Sequence, residues 1–283
     1  MHPDIHRLVV IAKYILERAA KLQAESNEVS LSISLLLMHD AVELLMVAVS
    51  DHLQLPKKQR EFMAFWPEIK EAGHPEPPDL VKMGQLNKLR VGFKHYGTLP
   101  HSQTVRDLLP RVRAFFENVL KDYCGLSYSD VSLIDLVPDP EVCSMLHDAQ
   151  NKFSSGDKPE ALKTLRIALR KVEHPNGKDL PLLQAPAKPR LPSEMDRAGL
   201  GQYLDQLHSF LGESALRTNA IMLGVDPVRY ASFARNTPNI VWSASGIPTT
   251  ILLSTYEAVS ERDFTEMIDF LIDYALKVSE AYS

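Results

Sequence analysis

Residues 86–100 read LNKLRVGFKHYGTLP. Leu86, Leu89, Phe93 and Tyr96 recur at spacings of three, four and three, the stripe a helix buries against its neighbours. Asp79, after Pro77 and Pro78, predicts the N-cap. Gly97, Thr98 and Pro100 predict the stop, with Gly97 suited to the left-handed conformation that ends helices. His95 then falls in the last turn, where the helix dipole favours a positive charge. Arg90 and His95 lie about 140° apart around the axis of a straight helix, so they do not stack on one face. Their convergence on one phosphate needs long-reaching side chains, an unwound helix end or a second copy of the chain. An arginine and a histidine five residues apart is a frequent spacing. On pattern alone the stretch is an amphipathic helix with a solvated polar edge.

Two long helices precede this segment, and the second contains SISLLLMHDAVELLM at residues 32–46. Together with LNKLRVGFKHYG, this arrangement resembles the HEPN superfamily of small helical domains over roughly residues 1–125. In that family an arginine and a histidine separated by four to six intervening residues, near a helix end, form a ribonuclease site. By that resemblance Arg90 and His95 are the catalytic pair, and Glu43 matches a supporting acidic position on the second helix. The pattern departs at Val91, where active members usually carry a polar residue, commonly Asn.

The resemblance implies metal-independent endoribonuclease chemistry with no cofactor, in which the RNA 2′-OH attacks the adjacent phosphorus. His95 would move the proton, Arg90 would hold the phosphate, and Lys94 and Lys88 would attract the backbone. It also implies a homodimer that joins two motifs in one cleft, and a place in toxin–antitoxin or phage-defence systems, with an antitoxin or another defence component as a protein partner. The alternative is a catalytically inactive dimer of the same fold that serves as a protein-interaction or RNA-binding module.

With 283 residues, 45% of them hydrophobic, the chain can bury one large core or two modest ones, and two domains are expected. The formal net charge of −5 offers no global attraction to nucleic acid. Residues 79–113, however, hold seven Lys or Arg against Asp79 and Asp107, which is +5 there and −10 elsewhere. Such asymmetry is commonly a solvated helix edge, but here it coincides with the motif and would draw in a polyanion. Cys124 and Cys143 form no CxxC pair, and no secretory leader is evident, so a reducing cytoplasm is expected without a disulfide framework or a zinc site. The most apolar run, Leu31 to Val49, is interrupted by His39, Asp40 and Glu43, which predicts a buried core helix and no membrane span.

Along the chain, Ile5, Leu8, Ala12, Ile15, Ala19 and Leu22 predict a first helix capped by Asp4. Asn27 or Ser30 opens a second that stops at Pro56. Residues 57–66 predict a shorter helix ended by Pro67, and GHPEPP at 73–78 a loop. Ser102 caps a helix through Tyr123 that Pro110 kinks and Gly125 closes. Val105, Leu108, Val112, Phe115, Val119 and Tyr123 point inward. The fold class is therefore mainly α, an antiparallel bundle over 1–125. Residues 126–174 are a connector and helical hairpin, 175–193 a linker with five prolines, and 194–283 a C-terminal helical domain. Within the hairpin, the order of small and large residues around Ala149, Phe153, Gly156, Ala161, Leu165 and Ala168 resembles one tetratricopeptide unit over 140–173. A helix from Met195 to Leu223 precedes a short helix after Gly224. β-branched runs near 239–255 predict a small hairpin, and Ser260 with Asp263 begins a final helix whose inward stripe is Phe264, Met267, Ile268, Leu271, Tyr274, Ala275 and Val278.

His39, Asp40 and Glu43 invite a metal reading, since positions one turn apart share a face and these residue types ligate divalent ions. The sequence supplies no further ligands at characteristic places, so the group reads as a polar stripe within the bundle or at its dimer face, and no metal is expected. His2 and His6 share the same spacing near the start of the chain. No Gly-rich phosphate loop, nucleophile elbow or dinucleotide fingerprint is present.

Overall fold

The computed structural model describes residues 1–25, 27–56, 61–175, 200–242, 248–251 and 258–282. The chain is mainly α-helical and divides into two compact units, Met1–Leu136 and Val137–Ser283.

The first unit is built on two long helices, α1 (Pro3–Ala24) and α2 (Glu28–His52). Asn27 caps α2 by accepting the Ser30 amide at 2.8 Å. The cap of α1 is His2 rather than Asp4: Pro3 needs no amide partner at the first helical position, so the helix starts two residues earlier and Asp4 lies in its first turn. The face that α1 buries is also displaced from the expected one. Val9, Val10, Leu16 and Gln23 are buried with Ala12 and Ala19, while Ile5, Leu8, Ile15 and Leu22 lie half-buried at its edge. Across the pair, Ser34 Oγ donates to the Ala19 carbonyl at 2.8 Å, the registration expected of antiparallel neighbours.

Helix α2 is buried on several sides, against α1 and the helices described next. Leu31, Leu35, Met38, Val42, Leu45, Met46 and Val49 are all core residues. Among the described residues α2 is the one helix long and apolar enough to cross a membrane, and most of that stretch is covered by the bundle itself.

The short helix expected over 57–66 lies elsewhere. Residues 57–60 fall outside the described residues, and after a 3₁₀ turn at Phe62–Ala64 the helix α3 runs Phe65–Glu71, straight through Pro67. Proline is tolerated there because it occupies the first turn, where its missing amide would have had no helical partner. Trp66 is fully buried on this element and donates Nε1–H to the Pro78 carbonyl at 3.2 Å. Helix α4 (Leu80–Tyr96) and helix α5 (Ser102–Val119) complete the bundle. His101, not Ser102, stands at the cap position of α5. Pro110 lies inside the helix, and a π-helical turn at Leu120–Cys124 leads to Gly125 in the left-handed conformation.

The first unit continues past 125. Two 3₁₀ turns, Tyr128–Asp130 and Leu133–Leu136, fold back on α1. Tyr128 donates its hydroxyl to Glu17 at 2.6 Å, and Lys13 donates to the carbonyls of Tyr128 and Val131 at 2.8 and 2.7 Å. Residues 126–136, expected as part of a connector, thus close the side of the first bundle.

The second unit opens with the expected hairpin, α6 (Pro140–Ser154) and α7 (Lys158–Glu173), capped by Asp139 and Asp157, with Gly156 at a φ of 91° in the turn. It shares a unit with the later helices rather than standing apart from them: α8 (Leu200–Met222), α9 (Pro227–Asn236) and α10 (Glu261–Tyr282). Residues 176–199, which hold most of the proline-rich stretch and the expected start of α8, lie outside the described residues. Strands β1 (Asn239–Trp242) and β2 (Pro248–Ile251) pair antiparallel, with Asn239 opposite Ile251, where the small hairpin was expected; residues 243–247 and 252–255 of that stretch lie outside the described ones. Ser260 and Asp263 form the predicted capping box of α10. The stripe predicted for α10 is buried throughout, from Phe264 to Val278, and Phe264 stacks on Phe153 at 3.9 Å.

Candidate functional site

Helix α4 positions every residue of the sequence motif. It begins abruptly, with Asp79 at a φ of 55° and no cap bond from its side chain, so Asp79 occupies the cap position without the capping chemistry expected of it. It ends as predicted. Gly97 adopts a φ of 65°, its amide donates to the Phe93 carbonyl at 3.1 Å, and the Thr98 amide donates to Gly92 at the same distance. That pair of bonds satisfies the last carbonyls and fixes where His95 stands.

The apolar stripe of α4 fades along its length. Met83 and Leu86 are fully buried, Leu89 and Phe93 are half-buried, and Tyr96 is 79% exposed. The C-terminal turn therefore projects from the bundle and presents Lys94, His95 and Tyr96 to solvent.

The polar residues of α4 fall on two faces. Asn87, Arg90 and Lys94 are spaced three and four apart and share one side, while Lys88 and His95, seven apart, share another. The first side meets α2. His39 Nε2 lies 3.2 Å from Asn87 Oδ1, and Asp40 feels the charges of Arg90 and Lys94. Arg90 is half-buried, and its Nε is buried with no hydrogen-bond partner among the described residues. The second side carries Lys88 and His95, both exposed, in line with Val81, which is 82% exposed. The structure thus brings Arg90 and Lys94 to α2 and leaves His95 and Lys88 on the outside of the same helix.

On α2, His39 is 2% exposed and stacks on Phe62 with ring centroids 4.1 Å apart. Its Nδ1 lies 3.5 Å from Asp40 Oδ1 and 3.9 Å from Glu43 Oε2. The adjacent His39 ring, and then the charges of Arg90 and Lys94, hold the Asp40 carboxyl below the usual carboxylate range, against an opposing effect of burial. At 3.5 Å the His39 Nδ1–Asp40 separation is longer than a well-formed hydrogen bond. Glu43, the acidic position singled out in the sequence, thus belongs to a group with His39 and Asp40.

Sequence reasoning missed the electrostatic effect of Arg90 and Lys94 on Asp40 and the role of Asn87. The spacing of Asn87, Arg90 and Lys94 was the available signal, since it sets a third polar residue on the arginine's own face. A groove of about 580 Å³ between α4 and α5, lined by Lys82, Gln85, Thr104, Asp107 and Arg111 among others, takes in further members of the basic stretch but neither Arg90 nor His95. His2 and His6 do not act as a pair: His2 caps α1, and His6 contacts Asp135 at 3.0 Å. No protein-family model matches this chain, and neither a curated protein nor a solved structure does.

Proposed function

We propose that this chain is a metal-independent endoribonuclease of the HEPN type, acting as a toxin or phage-defence component, with Arg90 and His95 contributing to a site assembled from two copies. The observation that carries this reading is the split of α4 into an arginine side and a histidine side. Arg90 and His95 sit about 140° and roughly 7.5 Å apart along one helix, so a single copy does not aim both at one phosphate. A two-fold axis beside the exposed end of α4 brings the His95 of one copy toward the Arg90 of the other. Val81, Tyr96 and Leu99, all exposed on or just beyond this helix, give such an interface apolar surface to bury.

In the reaction the RNA 2′-oxygen attacks phosphorus and the bond from phosphorus to the 5′-oxygen breaks. The His95 of one copy takes the 2′-OH proton, and water protonates the leaving 5′-oxygen. The products are a 2′,3′-cyclic phosphate and a 5′-OH end. DNA, lacking the 2′-OH, is not cleaved. A well-placed general acid or base contributes about 10²–10⁴ in rate. Arg90 binds the non-bridging oxygens and stabilises the charge that builds on them. Lys94 and Lys88 draw in the backbone from the two sides of the helix.

A second reading, a catalytically inactive dimer that binds RNA or a protein partner, is favoured by the charge interaction of Arg90 with Asp40 and by the apolar Val91 beside Arg90. The deciding experiment is induced expression of wild type, Arg90→Ala and His95→Ala at equal soluble levels, with RNA ends examined. Growth arrest and cyclic-phosphate ends in the wild type alone support the nuclease. Intact RNA in all three, with genomic neighbours co-expressed, supports the binding module.

A further inference from the structure

The group formed by His39, Asp40 and Glu43 has a feature that a polar stripe does not need. The His39 ring is pinned between Phe62 and Asn87, with its Nε2 facing the Asn87 carbonyl oxygen at 3.2 Å. An amide oxygen only accepts, so Nε2 carries the proton and donates. Nδ1 is then the remaining ring nitrogen. It is buried, has no hydrogen-bond partner among the described residues, and faces two carboxylate oxygens at 3.5 and 3.9 Å. A bare lone pair pointed at two negative charges is repulsive unless a positive species lies between them. A second ring proton would seek a hydrogen bond near 2.8 Å, about 0.7 Å shorter than the nearest oxygen here.

We propose that His39 Nδ1, Asp40 and Glu43 bind a divalent transition-metal ion, zinc or manganese, with water completing the coordination. The three ligand atoms lie within 4.8 Å of one another. Tetrahedral bonds of about 2.1 Å place ligands about 3.4 Å apart, which matches the His39–Asp40 separation. The carboxylates, with side chains 53% and 40% exposed, can close the remaining gap by rotation. Asn87 does what a partner behind a metal-bound histidine does: it holds the tautomer and the ring plane. One imidazole with two carboxylates suits zinc or manganese better than magnesium, which prefers an all-oxygen shell.

The charges of Arg90 and Lys94 on α4 act on Asp40, and they set the consequence of loading. With the ion bound, Asp40 and Glu43 are neutralised by the metal, and the two cations of α4 become available to an anion. The site lies on the seam between α2 and α4, so the ion also ties the motif helix to the core helix. The binding claim stands apart from the ribonuclease reading, because it is tested without any activity.

The test is calorimetric titration of the full chain, stripped by chelator, with zinc chloride and separately with manganese chloride. Asp40→Asn, Glu43→Gln and Asn87→Ala are run beside the wild type, with circular dichroism confirming the fold. One ion is expected to lose at least tenfold in affinity with each carboxylate substitution and about tenfold with Asn87→Ala. Cobalt in place of zinc should give visible d–d bands with no thiolate charge-transfer band, separating this site from any cysteine site. Equal stoichiometry and affinity in wild type and both carboxylate variants overturns the proposal. A second, variant-free readout is the imidazole ¹⁵N spectrum of the stripped wild type at neutral pH. A His39 Nδ1 without a proton that shifts on zinc addition supports the proposal, and a His39 ring protonated on both nitrogens and unmoved by zinc overturns it.

Discussion

The Tyr230 hydroxyl donates to Glu173 Oε1 at 2.6 Å, joining α9 to the end of α7 across 57 residues of sequence. Both groups are buried, and burial raises the Glu173 carboxyl above its usual range even though the Tyr230 hydrogen bond and the charges of Arg170 and Arg166 oppose the shift. A carboxyl whose pKa is raised on folding favours the folded state most below its unfolded value. That contribution is lost as pH rises through the folded value. Glu173→Gln keeps an acceptor for Tyr230 and removes the titration, so relative to wild type it gains stability from mildly acidic to neutral pH. Urea midpoints across that range check the sign: a gap between the two proteins that narrows or stays flat as pH rises contradicts it.

Tyr230→Phe removes the donor and leaves the buried carboxylate without that partner. The expected loss is about 1–3 kcal/mol, since an unpaired buried polar group bears its full desolvation cost. Denaturant unfolding at neutral pH measures it, and a Tyr230→Phe/Glu173→Gln double variant should recover part of the loss.

Gly97 ends α4 at a φ of 65°, where an added Cβ meets no atom within 4 Å, so any penalty of a side chain is conformational rather than steric crowding by neighbours. Gly97→Ala should cost about 1 kcal/mol and loosen the turn that carries His95. Amide hydrogen exchange of Gly97 and Thr98 reports that loosening directly. Protection equal to wild type would show that the two closing bonds do not depend on glycine.

Asp40 competes with any polyanion for Arg90 and Lys94. In chelator-treated protein, Asp40→Asn should therefore tighten the binding of a non-cleavable oligonucleotide several-fold at low salt, with the gain shrinking as salt rises. Fluorescence anisotropy at two salt concentrations is sufficient, and equal affinities would place Arg90 and Lys94 outside the nucleic-acid interface.

Mixing Arg90→Ala with His95→Ala protomers tests the two-copy site. When the arginine and histidine come from different copies, each mixed dimer keeps one complete pair. Random pairing then restores about a quarter of wild-type cleavage from two inactive parents. If both residues act from one chain, no mixed dimer holds a complete pair and the mixture stays inactive.

The helices whose buried residues form one continuous face were readable from sequence because local spacing alone sets that face. α10 buries the predicted residues from Phe264 to Val278, and α5 buries Val105 through Val119 as expected. The reading failed at α1, whose buried face is set by contacts distant in sequence. α1 lies under both α2 and the 3₁₀ turns that follow Gly125, which moves its buried face onto Val9 and Leu16. Tyr96 failed for the opposite reason, since α4 outruns the bundle and leaves the end of its stripe uncovered. At the candidate site the helix, its stop and the place of His95 in the last turn followed from local spacing. The approach of Arg90 to Asp40 did not, because it is set by how α2 and α4 cross, and their contact residues are some 50 positions apart in the chain.

The return of residues 126–136 over α1 decides how the first unit can be made in isolation. A fragment ending at Gly125, where the helical pattern stops, would strip Lys13 of the Tyr128 and Val131 carbonyls and Glu17 of the Tyr128 hydroxyl. It would also uncover the core where Val131 is fully buried. A recombinant piece meant to carry the α2–α4 seam intact should extend through Leu136, and its shorter counterpart should aggregate or melt early for reasons unrelated to Arg90 or His95.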